Sequence, residues 1–196
     1  MIDQLIQQDT ELFLYLNGLG TTTWDGFWMF YTTKFNWIPF YAVLLYLVFK
    51  QTNRKQFILC VLLIALMVSF TDQVTNLFKD GFQRLRPCHN ADIADIMRLV
   101  KPSCGGKYGF FSGHASNSMA VAIFVGLFLK KRFKYLLLGM LIWALLMAYS
   151  RVYIGVHYPL DIFCGMTFGA LSGYGFYKLY GLLDKQLLKQ HSGYGK

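Results

Sequence analysis

The sequence predicts an all-α polytopic membrane helix bundle, with about five transmembrane helices behind an amino-terminal amphipathic helix. Three observations lead there. Of its 196 residues, 55% are hydrophobic and 18% aromatic, above the roughly 45–50% apolar content of ordinary soluble domains. The apolar residues fall in runs close to the roughly 20 that a helix needs to cross a bilayer. The net charge of +9 is gathered into clusters between those runs, as in the cytoplasmic loops of membrane proteins. A nucleic-acid surface would instead spread its cations over one solvated face, so the partner implied is the bilayer and no nucleic acid.

Taken in order, Ile2, Leu5, Ile6, Leu12, Phe13 and Leu16 recur at helical spacing, with Asp3, Gln7, Gln8 and Glu11 on other faces. This predicts an interfacial helix within residues 1–20. It lacks the basic start and cleavage site of a secretory leader and is expected to be retained. Asn17-Gly18-Leu19-Gly20 ends it, and Thr23 with Asp25 opens the next helix. Spans are expected at about 27–49, 56–78, 113–129, 133–151 and 158–180. Lys34, Asn36 and Pro39 interrupt the first, which leaves open a kinked helix or a surface helix joined to a short span. No linker or repeat is visible, so residues 1–196 read as a single membrane-embedded domain.

Alternating spans place loops 50–55 and 130–134 on the side of the carboxy-terminal tail. That side collects cations from Lys50 to Lys196, including Lys178, Lys185 and Lys189, against the single acid Asp184, and is expected to be cytoplasmic. The other side holds the amino-terminal segment, loop 80–112 and loop 152–157. Yet Lys79, Arg84, Arg86, Arg98, Lys101, Lys107 and Arg151 also fall there, against the charge rule. A bound anion is the economical reason to keep them. Lys79, Arg86 and Arg151 come from separate chain regions and are suited to converge on one phosphate.

Ser112-Gly113-His114 immediately precedes the third span, so unpaired helix-start N–H groups and a glycine face an approaching anion. His157 lies four residues before Asp161, one helical turn. The carboxylate can accept a hydrogen bond from one ring nitrogen and leave the other as a nucleophile. His114 remains to protonate the departing oxygen. Pro159 fits the first turn of the fifth span.

Three segments now stand in order: Lys79-Asp80-Gly81-Phe82-Gln83-Arg84-Leu85-Arg86-Pro87, Phe111-Ser112-Gly113-His114, and Ser150-Arg151 followed by His157 and Asp161. Over residues 79–161 the chain resembles the type 2 phosphatidic acid phosphatase superfamily of integral membrane lipid phosphate phosphatases. The resemblance implies hydrolysis of a lipid phosphate or diphosphate, without cofactor or metal, through a phosphohistidine on His157 oriented by Asp161. It implies His114 as general acid and then base, with Lys79, Arg86, Ser112, Gly113 and Arg151 holding the phosphoryl oxygens. Candidate lipids are undecaprenyl diphosphate, phosphatidic acid, phosphatidylglycerophosphate and lipid A phosphate. The expected place is a bacterial cytoplasmic (inner) membrane with the active site facing outward. Transfer of the phosphoryl group to a second lipid is the alternative, and a non-catalytic lipid-phosphate binder or transporter is the other class. The family usually has proline where this chain has Phe111.

Other residues have plainer expectations. Asp72, within the second span, suits a polar packing network; Tyr153 and Tyr158 read as interface aromatics. Arg84, Arg98, Lys101, Lys107 and His89 read equally as head-group contacts or solvated loop groups, and His191 as tail. Cys60 and Cys164 read as packing residues. Cys88 and Cys104 share the outer loop, where an oxidising compartment permits a disulfide. A zinc site built on Cys88, His89 and Cys104 would be one ligand short.

Overall fold

Helix α1 (Ile2–Gly18) buries Asp9, Phe13 and Asn17 and leaves Ile2, Leu5, Ile6 and Leu12 outward. The computed structural model that shows this describes residues 1–193, with side chains to residue 186. The side chains of Lys189 and His191, and all of Lys196, lie outside the described residues. Helix α2 (Thr22–Thr32) begins at an N-cap on Thr21, two residues before the expected Thr23.

The expected first span 27–49 is divided. Helix α2 stops, a 3-10 turn covers Lys34–Trp37, and helix α3 (Ile38–Lys50) follows with Pro39 in its first turn. Polar side chains satisfy the carbonyls that the break exposes. The hydroxyl of Thr33 donates to Met29 O at 2.7 Å, Asn36 Nδ2 to Phe30 O at 2.8 Å, and Trp37 Nε1 to Tyr31 O at 2.7 Å. This is the arrangement of a helix joined to a short apolar segment.

Helix α4 (Arg54–Phe82) opens on a reciprocal Asn53–Gln56 capping box. Its 29 residues rise about 44 Å at 1.5 Å each, more than a hydrocarbon core of about 30 Å. Helices α5 (Gly113–Leu129), α6 (Leu136–Tyr153) and α7 (Pro159–Gly193) follow. Helices α4 and α6 are long and apolar enough to cross a membrane, and α5 is a shorter apolar helix. Leu62, Leu66, Leu138, Phe163 and Leu171 point outward, as a lipid-facing surface requires. A solvated protein rarely exposes apolar area on this scale.

Helices α5 and α7 make the closest contact in the bundle. A Cβ on Gly165, Gly169 or Gly173 would meet the backbone carbonyl of Ser112, Ser116 or Ala120, respectively. Small residues every fourth position on both helices let the backbones touch, which is how membrane helices associate when lipid removes the hydrophobic driving force between them. The consequence is registration of the two helix starts: Ser112 N donates to Asp161 O at 3.0 Å. Gly169→Val should force the seam apart at a cost of about 1–3 kcal/mol. The expected readings are a thermal midpoint in detergent several degrees below wild type and loss of the activity that the resemblance implies.

Candidate active site

Three positive side chains are delivered by three elements. Lys79 comes from the last turn of α4, Arg86 from the outer loop, and Arg151 from the last turn of α6. Lys79 feels the charges of Arg86 and Arg151, and Arg151 that of Arg86. Unlike charges are few around them, so the cluster has an unmet demand for an anion. Arg151 is 5% exposed. It donates one terminal nitrogen to Thr32 Oγ1 at 2.6 Å, while its Nε is buried without a partner. Such an orphan is expensive unless a ligand fills it. Among the described residues, Lys79 has a single long hydrogen bond, to Asn76 Oδ1 at 3.4 Å.

Arg86 is aimed by backbone. Its Nε donates to Tyr108 O at 3.2 Å and one terminal nitrogen to Cys104 O at 3.1 Å. The two strands of the outer loop are pinned by Arg86 N to Lys107 O, by Gly109 N to Arg84 O, and by a disulfide between Cys88 and Cys104. The pairing expected of these cysteines is therefore present, and the alternative zinc site falls away. Burial pushes the Arg86 guanidinium down from its ordinary value, with Asp161 opposing; a guanidinium nevertheless keeps its charge at any physiological pH.

His157 sits in the turn between α6 and α7 and is 2% exposed. Its Nδ1 lies 3.3 Å from Asp161 Oδ2, which also accepts from Tyr158 N at 3.1 Å. With Nδ1 protonated towards the carboxylate, Nε2 carries the free lone pair. Burial, then the charges of Arg151, Arg86 and Lys79, hold the imidazole well below its usual range, opposed by a backbone hydrogen bond to Gly109. It is thus neutral at neutral pH. His114, at the second position of α5, feels Arg151, Lys34, His157 and Lys101, so the two imidazoles feel each other and share the field of Arg151.

The helix start is more occupied than its sequence implies. Ser112 N is taken by the Asp161 carbonyl, and the Ser112 hydroxyl caps α5 by accepting from Ala115 N at 3.5 Å. The N–H groups of Gly113 and His114, first in the helix, have no intrahelical acceptor. They are the ones left for an anion. A Cβ on Gly113 would lie 4.0 Å from Lys79 Nζ, which places that backbone beside the cation. Phe111 is buried and touches Phe78 of α4 and Phe168 of α7, with ring centroids 5.0 and 5.3 Å away. In place of the family's proline, an aromatic wedge holds the segment.

Several residues have larger parts than their sequence context indicates. Arg84 is no solvated loop cation: it lies 2.9 Å from Asp161 Oδ1 and 2.6 Å from Asp9 Oδ2. Asp9, on the polar side of α1, carried no sequence signal at all. Gly109 packs where a Cβ would stand 3.1 Å from Asp161 Oδ2 and 3.6 Å from His157 Nδ1. Tyr153 and Tyr158 are buried rather than interfacial. The Tyr153 hydroxyl donates to Thr21 O at 2.8 Å, and the Tyr158 hydroxyl accepts from Asn90 Nδ2 at 3.2 Å. Buried phenols need such partners, which tertiary packing supplied. Arg98 pairs with Asp25 at 3.0 Å, and His89 approaches Gly105 O at 3.4 Å. Lys107 lies over the Tyr108 ring. Asp72 accepts from Asn117 Nδ2 at 2.7 Å, and Thr71 donates to Asn117 Oδ1, the polar network expected of it.

A cavity of about 320 Å³ shares His114 with this site. Lys34, Asp72, His114 and Asn117 line its polar side; Leu44, Ile64, Val68, Val121 and Met147 are among the residues that make the remainder apolar. Lys34, which breaks the first apolar run, therefore serves the cavity wall.

Residues 57–184 match the PAP2 superfamily. The chain belongs to that superfamily. A lipid A 4'-phosphatase of Bacteroides thetaiotaomicron is 38% identical over 179 residues, covering 90% of this chain and 79% of that protein. A lipid A 4'-phosphatase of Porphyromonas gingivalis is 34% identical over 182 residues, covering 91% and 75%. The fold matches the crystal structure of a transmembrane PAP2 type phosphatidylglycerolphosphate phosphatase from Bacillus subtilis, with a TM-score of 0.70 over 93% of this chain and 87% of that one, at 22% identity. The PAP2 chain is accordingly an integral membrane enzyme of the lipid phosphatase class.

Because the Cys104 carbonyl holds Arg86, the Cys88→Ala/Cys104→Ala variant should bind substrate more weakly. A several-fold rise in KM with a smaller change in kcat is expected from steady-state kinetics in detergent.

Proposed function

We propose that this PAP2 superfamily enzyme removes a phosphate monoester from lipid A or a closely related envelope lipid, through a phosphohistidine on His157. The observation that carries the reading is the junction of a cationic phosphate pocket with a largely apolar cavity at His114. A soluble phosphate ester would need only the first. A lipid phosphate uses both, with its acyl chain between helices and its phosphate among Lys79, Arg86 and Arg151. The names of the two relatives above favour lipid A within the lipid class.

The chemistry follows from the charges. His157 Nε2 attacks phosphorus as the P–O bond to the lipid breaks, while His114 gives its proton to the departing oxygen. Nδ1–H of His157 stays on Asp161 throughout, which stabilises the positive charge that the ring gains on forming the P–N bond. Lys79, Arg86 and Arg151, with the Gly113 backbone and the Ser112 hydroxyl, hold the equatorial oxygens. His114 then takes a proton from water, the oxygen of which attacks phosphorus and breaks the P–N bond, releasing inorganic phosphate. The phosphate charge of the substrate offsets the field of Arg151 and Lys34 at His114 and so helps it hold its proton.

Loop charges support a site on the outer face of a bacterial cytoplasmic membrane, where envelope lipids present their phosphates. About five spans suit this placement.

His157→Ala should abolish phosphate release from purified lipid A, and His114→Ala should slow it by about 10²–10⁴-fold. Enzyme denatured in alkali during turnover should retain phosphate that acid removes. Full activity in the His157 variant would refute the reading. Transfer to an added lipid alcohol in place of phosphate release would indicate the phosphotransferase chemistry, and a chelator should leave the rate unchanged.

The pH profile has a definite sign. A histidine kept neutral by burial needs no deprotonation near its ordinary value of about 6.5. The acidic limb of kcat/KM, corrected for ionisation of the substrate phosphate, should lie below pH of about 6.5. A limb above that value would count against a neutral buried nucleophile.

A further inference from the structure

The amino-terminal helix reaches the reaction centre through one buried carboxylate. Asp9 is 7% exposed. Its Oδ1 accepts from Leu160 N at 2.8 Å, at the start of α7, and its Oδ2 lies 2.6 Å from a terminal nitrogen of Arg84. The other terminal nitrogen of Arg84 is 2.9 Å from Asp161 Oδ1. The guanidinium lies over the Tyr158 ring, 4.2 Å from its centroid, and Tyr158 packs edge-on against Phe13 of α1 at 5.3 Å. One arginine thus spans two carboxylates and is clamped on its face.

We propose that Asp9 and Arg84 are positioning residues for phosphoryl transfer, holding Asp161 in the orientation and charge state in which it aligns His157. The proposal rests on His157 being the nucleophile. A carboxylate with no exposed surface, such as that of Asp161, is costly in its charged form unless paired. Arg84 supplies the counter-charge on Oδ1 and leaves Oδ2 to His157 and Tyr158 N. Arg84 alone would cancel the charge of Asp161 as seen from the imidazole. Asp9 takes the other half of the guanidinium, so the three groups together keep one net negative charge beside a ring that becomes positive.

The pair is faced by Asp9 from α1, Lys79 from α4, His114 from α5 and Arg151 from α6, with Arg84 and Arg86 from the outer loop. Changing Asp9 and Arg84 should therefore move the acidic limb of kcat/KM in opposite directions. With Asp9→Asn, the full charge of Arg84 acts on Asp161, and the limb moves down. With Arg84→Met, the carboxylate is uncompensated and holds a proton on the pair to higher pH, so the limb moves up.

The test uses full-length enzyme in detergent, with rates referred to the monodisperse folded fraction and inorganic phosphate release from lipid A as readout. Asp9→Asn should lower kcat by about tenfold with KM within about twofold, Arg84→Met by about a hundredfold or more, and Arg84→Lys should recover part of that loss, losing the two-pronged geometry but keeping the charge. Asp25→Asn, which breaks the Arg98 ion pair away from the nucleophile, should leave kcat and its pH profile as in wild type. Should Arg84→Met fail to fold, the near-isosteric Asp9→Asn and the charge-keeping Arg84→Lys decide the matter. Wild-type kcat and an unmoved limb in the folded Asp9 and Arg84 variants, with His157→Ala inactive, would overturn this inference and leave the nucleophile assignment standing. An active His157→Ala would overturn both.

Discussion

The site depends on how closely α5 and α7 approach. Gly165, Gly169 and Gly173 have no side chain to keep the helices apart, and each faces a carbonyl of α5. In lipid, where burial of apolar surface gives little between helices, backbone proximity of this kind supplies the dispersion that holds a pair together. Its functional consequence lies at one end of the seam. The Ser112 N–H bonds to the Asp161 carbonyl, which places the start of α5 beside the start of α7, just after the turn that carries His157.

Around that junction positive charge exceeds negative, with Asp72 acting on Lys79 and Asp161 on Arg86. Lys79, Arg86 and Arg151 repel one another, and the buried Nε of Arg151 has no acceptor. Such a cluster is self-repelling and is tolerated because the bundle, the outer loop and the disulfide over-determine its geometry. Under the proposed function, an incoming phosphate would relieve this repulsion. Burial, together with the same field, holds the His157 imidazole below its usual range, as the proposed nucleophile requires. In the proposed reading, the neighbouring apolar cavity takes the lipid tail.

The outer loop is held at several points rather than by one strap. Its closing strands pair through Leu85 and Tyr108, the disulfide joins Cys88 to Cys104, and Asn17 of α1 donates to Arg98, Val152 and Tyr153 carbonyls while accepting from Arg98 N. A buried amide using its donor and acceptor groups in this way fixes position with high specificity. Helix α1 thereby belongs to the architecture of the site as well as to the membrane surface.

Helical class and family were legible in the sequence, because hydrophobic run length and motif spacing are local properties; the same spacing nominated the eight candidate site residues. The break at Lys34–Trp37 was half legible: Lys34, Asn36 and Pro39 marked an interruption, but the backbone alone showed a 3-10 turn. Asp9, Arg84, Gly109 and the burial of Tyr153 and Tyr158 belong to another category. Asp9 and Leu160 stand 151 residues apart, and no periodicity in either neighbourhood announces their meeting. Composition and spacing determined which chemical groups the chain possesses and in what order they emerge from the membrane. Only the packed bundle decided which charges face each other, because desolvation and Coulomb energy depend on distances through space, to which chain order is blind.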